Sequence, residues 1–203
     1  MPVIDVPTVH AVTDDAVLAN SGFVAHASAL LRVLGSAVAV HLRGRDTPAA
    51  RLLALAERLA PLQAETDGWI VVNDRADVAA AAVARAVQLR RGSLSIEDVR
   101  RVSARLVCGV SVHEVNEASA ALAAGARWVI AGNVFETPSH PDRVGRGEAF
   151  VRDIAATGAC VIAIGGITPE RAASVRAAGA HGVAAIRGIW YAADPVLAAR
   201  AYL

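Results

Sequence analysis

The sequence predicts an α/β protein folded as a single (β/α)₈ barrel, the TIM-barrel architecture. Short runs of β-branched residues alternate with Ala/Leu/Arg segments of helical period, which is the pattern of parallel strands buried on both faces. Eight such units fit the 203 residues, the length at which closed barrels begin. No GxGxxG motif follows the first strand, so we favour a closed barrel over an open doubly wound sheet. We expect residues 1–203 to form one domain.

The eight predicted strands are short. We expect them at residues 9–13, 37–42, 69–73, 86–89, 106–112, 128–131, 160–164 and 182–186. Amphipathic helices are predicted between them, for example at 48–60, 115–124 and 169–178. Pro61 ends the first of these helices, and Gly125 and Gly179 close the other two, as is typical of helix C-termini.

Composition favours a small-molecule partner. The formal net charge is +1 and no stretch of one charge sign occurs, so we expect no nucleic acid. No basic leader and no run of about 18 apolar residues occurs, so we expect a cytoplasmic protein without a membrane partner. All positive charges are arginine, and the absence of lysine excludes Schiff-base aldolases and pyridoxal enzymes. Cys108 and Cys160 lack metal or redox spacing and are expected to be reduced, packed thiols.

Two arginines follow the second strand. In a barrel, chemistry occurs where strands end and the loops to the following helices begin. Arg43 and Arg45 are two residues apart and therefore point to the same side, where both guanidinium groups can bind a phosphate or carboxylate. The alternative is a solvated pair bridged to Asp46. The wholly apolar run before Arg43 favours the binding site.

The loops after the last two strands predict a phosphate site. Gly165 and Gly166 allow close approach of the backbone to a ligand, and the Ile-Thr-Pro-Glu that follows begins a helix whose amides face an anion. Phosphate sites after strands 7 and 8 recur in barrel enzymes. The alternative is a tight turn with Thr168 as N-cap. Strand 8 contributes Arg187 and Gly188 to the same predicted site.

Other strand ends carry further polar residues. The candidates are Asn73 and Asp74 after strand 3, Ser111 and His113 at strand 5, and Asn133, Glu136, Thr137, Ser139 and His140 after strand 6. His113 can transfer protons near neutral pH or simply pack beside the next helix, and spacing does not decide between these roles. His10 and His181 are expected to be structural, and His26 to lie on a helix surface.

Several segments together resemble the thiamine phosphate synthase and TenI (thiazole tautomerase) family. The resemblance runs from His10 to the C-terminal helix. The matching segments are HAVTDD at 10–15, LRGRD at 42–46, VNDRADV at 72–78, GVSVH at 109–113, GNVFETPS at 132–139 and AIGGITPE at 163–170.

The resemblance implies residue roles for a synthase. Synthases join a pyrimidine diphosphate to a thiazole phosphate and expel pyrophosphate with the aid of Mg²⁺. The implied roles are Arg43 and Arg45 on the diphosphate, Asn73 and Asp74 at the diphosphate and metal, Thr137 and Ser139 beside the leaving group, and main-chain donors at Gly166, Ile186 and Arg187 on the thiazole phosphate. Cations and oriented donors would stabilise the departing charge.

Two residues depart from the synthase pattern. Ser93 stands where synthases have a second metal-binding aspartate, and two arginines lie nearby. Because hard divalent ions prefer carboxylate oxygens, metal affinity should be reduced. His140 replaces a synthase lysine and is a weaker fixed charge at neutral pH.

The Ser93 pattern and the segments at 10–15 and 134–137 resemble the TenI branch more closely. Its tautomerase shifts a proton within a thiazole carboxylate phosphate and needs an acid/base group but no metal. Asn133 stands at the position of the family's catalytic histidine, so His113, His140 or Glu136 would have to serve.

Three functions remain open from the sequence. We favour the metal-free tautomerase because its branch-specific segments are more numerous. The alternatives are a synthase, with Mg²⁺ as cofactor, and a catalytically inactive protein that binds thiazole phosphate. The resemblance also implies a homodimer.

Overall fold

The computed structural model describes residues 5–137 and 144–203, and its strands form a closed parallel barrel. Each strand pairs with its neighbours in chain order, and the last pairs with the first. The strands are β1 (Val9–Val12), β2 (Val38–Leu42), β3 (Trp69–Asn73), β4 (Ala86–Leu89), β5 (Val107–Val112), β6 (Trp128–Gly132), β7 (Val161–Ile164) and β8 (Gly182–Ala185). The predicted (β/α)₈ barrel is confirmed, and each strand boundary lies within one residue of its predicted position.

Helices surround the barrel. Those described are α1 (Asp15–Ala19), α2 (Phe23–Leu34), α3 (Ala49–Leu59), α4 (Leu62–Thr66), α5 (Ala76–Ala81), α6 (Ile96–Val102), α7 (Val115–Ala124), α8 (Gly147–Ala155), α9 (Pro169–Ala177), α10 (Arg187–Trp190) and α11 (Pro195–Arg200). Gly125, at φ 97°, ends α7 in the left-handed conformation that the sequence pattern indicated. Among residues 5–137 and 144–203 there is no apolar helix of membrane-spanning length.

The strands bury both faces. Outward-facing side chains pack against the helices in one apolar cluster, and inward-facing side chains form a second cluster inside the barrel. Within the barrel, Trp69 and Trp128 meet edge to face with ring centroids 5.9 Å apart. Gly109 makes room for this pair, because a Cβ there would collide with the Trp128 ring. These aromatic rings fill the lower barrel and leave its upper end to polar residues.

Two histidines lie in the barrel interior beside the aromatic pair. His10 of β1 and His41 of β2 are 0% exposed, and His10 Nδ1 lies 2.8 Å from His41 Nε2. Burial lowers the pKa of His41 to about 4 and holds the pKa of His10 well below its ordinary value. Both imidazoles are therefore neutral at neutral pH. His26 is exposed on α2, and His181 contacts the Val6 carbonyl at 2.7 Å near the start of β8, in agreement with their predicted placement.

We expect acid to destabilise the fold through His10 and His41. Each imidazole takes up a proton near pH 6.5 in the unfolded chain, whereas burial keeps His41 neutral down to a pKa of about 4 in the folded protein. The contribution of the neutral histidines to stability is therefore fully present above their pKa in the unfolded chain, and it is lost as the pH falls below that value. Each histidine lowers the free energy of unfolding by up to about 1.4 kcal/mol per pH unit in this window.

Urea unfolding between neutral pH and about pH 5 measures this dependence, with few carboxylates titrating in that range. The surface variant His26→Gln is the matched control and should keep the wild-type slope. A free energy of unfolding that stays constant over this range would contradict the account.

Candidate active site

The loops at the carboxyl ends of the strands enclose a cavity of about 1290 Å³. Every predicted site residue that the structure describes lines this cavity. These residues are Arg43, Arg45, Asn73, Asp74, Ser111, His113, Asn133, Glu136, Thr137, Gly165, Gly166, Ile186, Arg187 and Gly188. Ser139 and His140 lie outside the described residues. The common cavity follows from barrel closure, since all parallel strands end at the same rim.

The two glycines after β7 are required by close packing against the loop after β6. Gly165 has φ 101° and Gly166 φ 62°, both in the region that favours glycine. A Cβ on Gly165 would lie 2.7 Å from Asn133 Cα, and one on Gly166 would lie 2.8 Å from Phe135 Cβ. The Phe135 amide also donates to the Gly165 carbonyl at 2.9 Å. The tight turn is therefore present and also lines the cavity.

Thr168 begins α9 without the side-chain cap that the alternative interpretation required. It occupies the N-cap position, but its side chain makes no capping hydrogen bond. The Thr168 hydroxyl instead bonds Glu170, which lowers the pKa of that carboxyl. Thr168 therefore occupies the N-cap position without a capping bond, because the glutamate two residues later takes its hydroxyl.

Two residues that the sequence reasoning missed support the glycine loop. Arg171 donates to the Gly166 carbonyl at 2.9 Å, and its guanidinium lies 4.5 Å from the centroid of the Phe135 ring. The Tyr202 hydroxyl donates to the Ile167 carbonyl at 3.2 Å and fills the space that a side chain on Gly188 would occupy. Tyr202 thereby links the loops after β7 and β8. No sequence pattern places a C-terminal tyrosine at this point.

The loop after β2 is held by the end of β1. The Thr13 hydroxyl accepts from the Arg43 amide at 2.8 Å and donates to the Arg43 carbonyl at 2.9 Å. The Asp15 carboxylate accepts from the amides of Arg45 and Asp46, at 2.9 and 3.1 Å, and from the Thr47 hydroxyl at 2.6 Å. The Thr47 bond is the main cause that lowers the pKa of Asp15. These bonds fix the backbone from which the two arginine side chains extend.

The two arginines form no ion pair with Asp46 in the part of the chain that the structure describes. Arg43 is half-buried and Arg45 is exposed. Burial and the neighbouring Arg45 lower the pKa of Arg43, while the carboxylates of Asp15 and Asp74 raise it. Arginine stays charged under such perturbation. The arrangement suits an incoming anion, since a diphosphate would compensate two positive charges that lie close together.

Asp74 does not fit a magnesium site. Its Oδ2 accepts from Arg90 Nε at 2.6 Å, and its Oδ1 accepts from the Ser93 hydroxyl. Among residues 5–137 and 144–203, no group of three or more His, Cys, Asp or Glu side chains is placed to hold a metal ion. Mg²⁺ binds through carboxylate oxygens, and the carboxylate predicted to hold it, Asp74, is already paired with the guanidinium of Arg90. No step of the chemistry is therefore assigned to a metal held by the protein alone.

His113 carries its proton on a defined nitrogen. Its Nδ1 lies 2.7 Å from the Gly132 carbonyl, which can only accept, so Nδ1 bears the hydrogen. The neutral imidazole then has its lone pair on Nε2, the atom that a general base requires. The Glu117 carboxylate accepts from the His113 amide at 2.6 Å and fixes the backbone at the start of α7. His113 therefore lines the cavity in the tautomer of a base.

Two buried amide side chains of the cavity differ in whether their hydrogen bonds are satisfied. Asn133 is 9% exposed, and its Nδ2 donates to the Phe135 carbonyl of its own loop at 3.3 Å. Gln88 of β4, which the sequence reasoning missed, is 1% exposed and donates through Nε2 to the Ser111 hydroxyl at 3.0 Å. Its buried Oε1 has no hydrogen-bond partner among the described residues. A glutamine inside a predicted strand gives no sequence signal that it reaches a site.

Fold and cavity together define a (β/α)₈ barrel with cationic side chains and a glycine-rich turn around one pocket at the strand ends. The profile of the family described as thiamine monophosphate synthase matches residues 9–189. The chain therefore belongs to the thiamine monophosphate synthase (TMP-TENI) family.

Individual relatives agree with this assignment. The chain is 39% identical over 196 residues to a thiamine-phosphate synthase of Roseiflexus sp. (strain RS-1), covering 95% of this chain and 82% of the relative. A solved thiamine phosphate pyrophosphorylase from Pyrococcus furiosus superposes with a TM-score of 0.83 at 31% identity, covering 96% of this chain and 93% of that one. A 3-hexulose-6-phosphate synthase structure, at 17% identity and TM-score 0.66, shares the fold alone.

These names favour the synthase alternative over the tautomerase that the branch-specific segments favoured. Family membership confirms the resemblance drawn from the motifs. The roles of the individual site residues stay predictions.

We expect the wild-type protein without substrate to bind no divalent ion. Replacing Arg90 by alanine and Ser93 by aspartate in one variant frees Asp74 and supplies a second carboxylate, so this variant should bind Mn²⁺. Electron paramagnetic resonance of added Mn²⁺ distinguishes free from bound ion. The single variant Arg90→Ala is the matched control and should bind more weakly than the double variant. Stoichiometric binding of Mn²⁺ by the wild type would contradict our assessment of Asp74.

Proposed function

We propose that the protein is a thiamine-phosphate synthase that joins a pyrimidine diphosphate to a thiazole phosphate. One observation carries the proposal: the arginine pair after β2 and the glycine turn after β7 line the same cavity. A cavity of about 1290 Å³ exceeds the range of about 300–1,000 Å³ usual for one drug-sized ligand. The names of the curated relatives support the same assignment.

The cavity offers a separate place for each substrate. Arg43 and Arg45 lie beside the predicted diphosphate position. Each planar guanidinium group can donate two parallel hydrogen bonds to the phosphate oxygens. The turn at Gly165 and Gly166 lines the cavity and leads into α9, and the positive end of a helix dipole favours an anion. The thiazole phosphate is assigned to that end, with main-chain donors at Arg187 and its neighbours.

The transfer then needs no proton donor. The thiazole nitrogen uses its lone pair to form a bond to the pyrimidine methylene carbon, and the bond from that carbon to the diphosphate oxygen breaks. Pyrophosphate leaves with the electron pair, and the thiazole nitrogen becomes a thiazolium cation. The growing negative charge falls on the oxygens beside Arg43 and Arg45, so their guanidinium groups stabilise the transition state more than the ground state. Incubation with both substrates should yield thiamin phosphate and pyrophosphate in equal amounts.

We expect Arg43→Gln to lower kcat/KM of this transfer by a factor on the order of 100 to 1,000, because one preorganised cation at the leaving group is lost. Chromatography of thiamin phosphate measures the rate. Arg58→Gln, on the exposed face of α3, is the matched control for removal of one arginine. The assignment fails if Arg43→Gln and Arg58→Gln have the same activity.

The tautomerase remains a second candidate because of the His113 tautomer. A neutral His113 with its lone pair on Nε2 can remove a proton from a carboxythiazole phosphate, and a metal is not needed. The neutralised state of Asp74 is compatible with that reaction. The homodimer, the cytoplasmic location and the remaining candidates His140, Ser139, Glu136 and Thr137 stay predictions.

If the tautomerase is correct, His113→Gln should slow conversion of the thiazole carboxylate phosphate about 100-fold or more, because general-base catalysis is lost. Ultraviolet absorbance of the aromatic product follows the reaction. His26→Gln removes a surface histidine and should leave the rate unchanged. Turnover of this substrate without thiamin phosphate formation would replace the synthase proposal, and tight binding of thiazole phosphate with neither reaction would favour an inactive binding protein.

A further inference from the structure

A chain of polar contacts runs through the barrel interior to the cavity. His10 Nε2 lies 3.0 Å from the Pro7 carbonyl, and His10 Nδ1 lies 2.8 Å from His41 Nε2. His41 Nδ1 in turn lies 3.1 Å from Oδ1 of the Asn73 amide. Both histidines are fully buried, whereas Asn73 lines the cavity. These hydrogen-bonding contacts therefore connect a backbone carbonyl below the barrel to a side chain that faces the cavity.

The positions of the hydrogens follow from the fixed end of the chain. The Pro7 carbonyl can only accept, so His10 must carry its hydrogen on Nε2. A neutral His10 then has its lone pair on Nδ1, so His41 must donate from Nε2. A neutral His41 therefore has its lone pair on Nδ1. The atom of Asn73 that meets Nδ1 has to be a donor.

Both histidines hold one proton at neutral pH. No carboxylate contacts either ring among the described residues, and His10 packs on Trp128 with ring centroids 5.9 Å apart. Burial, and after it the neighbouring His41, holds the pKa of His10 well below its ordinary value. Burial lowers the pKa of His41 to about 4, against the opposing effect of Asn73. With Oδ1 toward His41, two lone pairs would face each other. A half turn of the amide relieves this conflict without moving the backbone.

We propose that His10 and His41 are positioning residues that hold the Asn73 amide with its nitrogen toward His41 and its oxygen toward the cavity. Asn73 then recognises a hydrogen-bond donor of the substrate, such as the exocyclic amine of an aminopyrimidine, and does not donate to the diphosphate. This inference rests on the proposed function for the identity of the ligand. It revises the assignment of Asn73 to the diphosphate.

The protonation states can be observed directly. ¹⁵N NMR of histidine-labelled protein at neutral pH distinguishes the two tautomers of each ring, and spectra of His10→Gln and His41→Gln assign the signals. We expect the Nε2-protonated neutral form for both His10 and His41. Hydrogen on Nδ1 of His41, alone or together with Nε2, would require the amide oxygen to face His41 and would overturn the proposal.

Binding to two probes tests the consequence for Asn73. Calorimetry with the pyrimidine diphosphate and with inorganic pyrophosphate separates recognition of the amine from recognition of the diphosphate. We expect Asn73→Ala to weaken binding of the pyrimidine diphosphate about tenfold, which corresponds to the loss of one hydrogen bond. The affinity for pyrophosphate should stay unchanged. Equal weakening of both probes would show that Asn73 donates to the diphosphate and would overturn the proposal.

The role of His10 is tested at a distance from the ligand. His10→Leu removes the acceptor for His41 Nε2, so His41 can protonate Nδ1 and turn the amide. We expect weaker binding of the pyrimidine diphosphate and tighter binding of pyrophosphate. His10→Gln supplies an acceptor oxygen and should restore the wild-type preference. Identical preferences in both variants would contradict positioning by His10, and if the leucine variant does not fold, the NMR measurement on the wild type still decides.

Failure of this inference and failure of the proposed function give different results. If the pyrimidine diphosphate does not bind while both rings carry hydrogen on Nε2, the synthase proposal fails and the amide orientation stands. If it binds and Asn73→Ala weakens both probes equally, the orientation fails and the synthase proposal stands.

Discussion

The close packing of the glycine turn after β7 against the loop after β6 is the constraint on which the site depends. Gly165 and Gly166 allow two loop backbones to meet where any side chain would collide with Asn133 or Phe135. The contact brings the start of α9 to the rim of the barrel, and Arg171 and Tyr202 hold it there through backbone carbonyls. Across the same rim, Thr13 and Asp15 hold the loop that carries the arginine pair. The cavity is the space between these two supported loops.

The charged side chains of the cavity favour a site that works without a metal over one that needs a metal. Asp74 is bonded to Arg90 and Ser93, so positive charge near the predicted diphosphate position comes from guanidinium groups. Arginine provides a planar group of hydrogen-bond donors that stays charged at every relevant pH. A bound metal cation would need further carboxylate ligands. Family membership and this local chemistry together favour a transfer to nitrogen in which arginine stabilises the departing pyrophosphate.

The sequence predicted the barrel because strand and helix periods are local properties, and every strand boundary was correct within one residue. It also identified the lining residues at strand ends, since barrel closure places all strand ends together. It missed Gln88, Tyr202 and the His10–His41 contact, because these depend on which inward-facing side chains meet across the barrel. It offered Thr168 as the N-cap of α9 only as an alternative to a phosphate site, and it did not show that the Thr168 hydroxyl bonds Glu170, because geometry decides between two competing local hydrogen bonds.

In the proposed site, one cavity holds two phosphorylated groups, one at each of the two supported loops. A crystal structure of the protein with thiazole phosphate and inorganic pyrophosphate would locate both groups. We expect pyrophosphate beside Arg43 and Arg45, and the thiazole phosphate on the amides at Gly166 and Arg187, in the same molecule. Occupation of a single position by both compounds, or of the outer surface of the barrel, would rule out this arrangement.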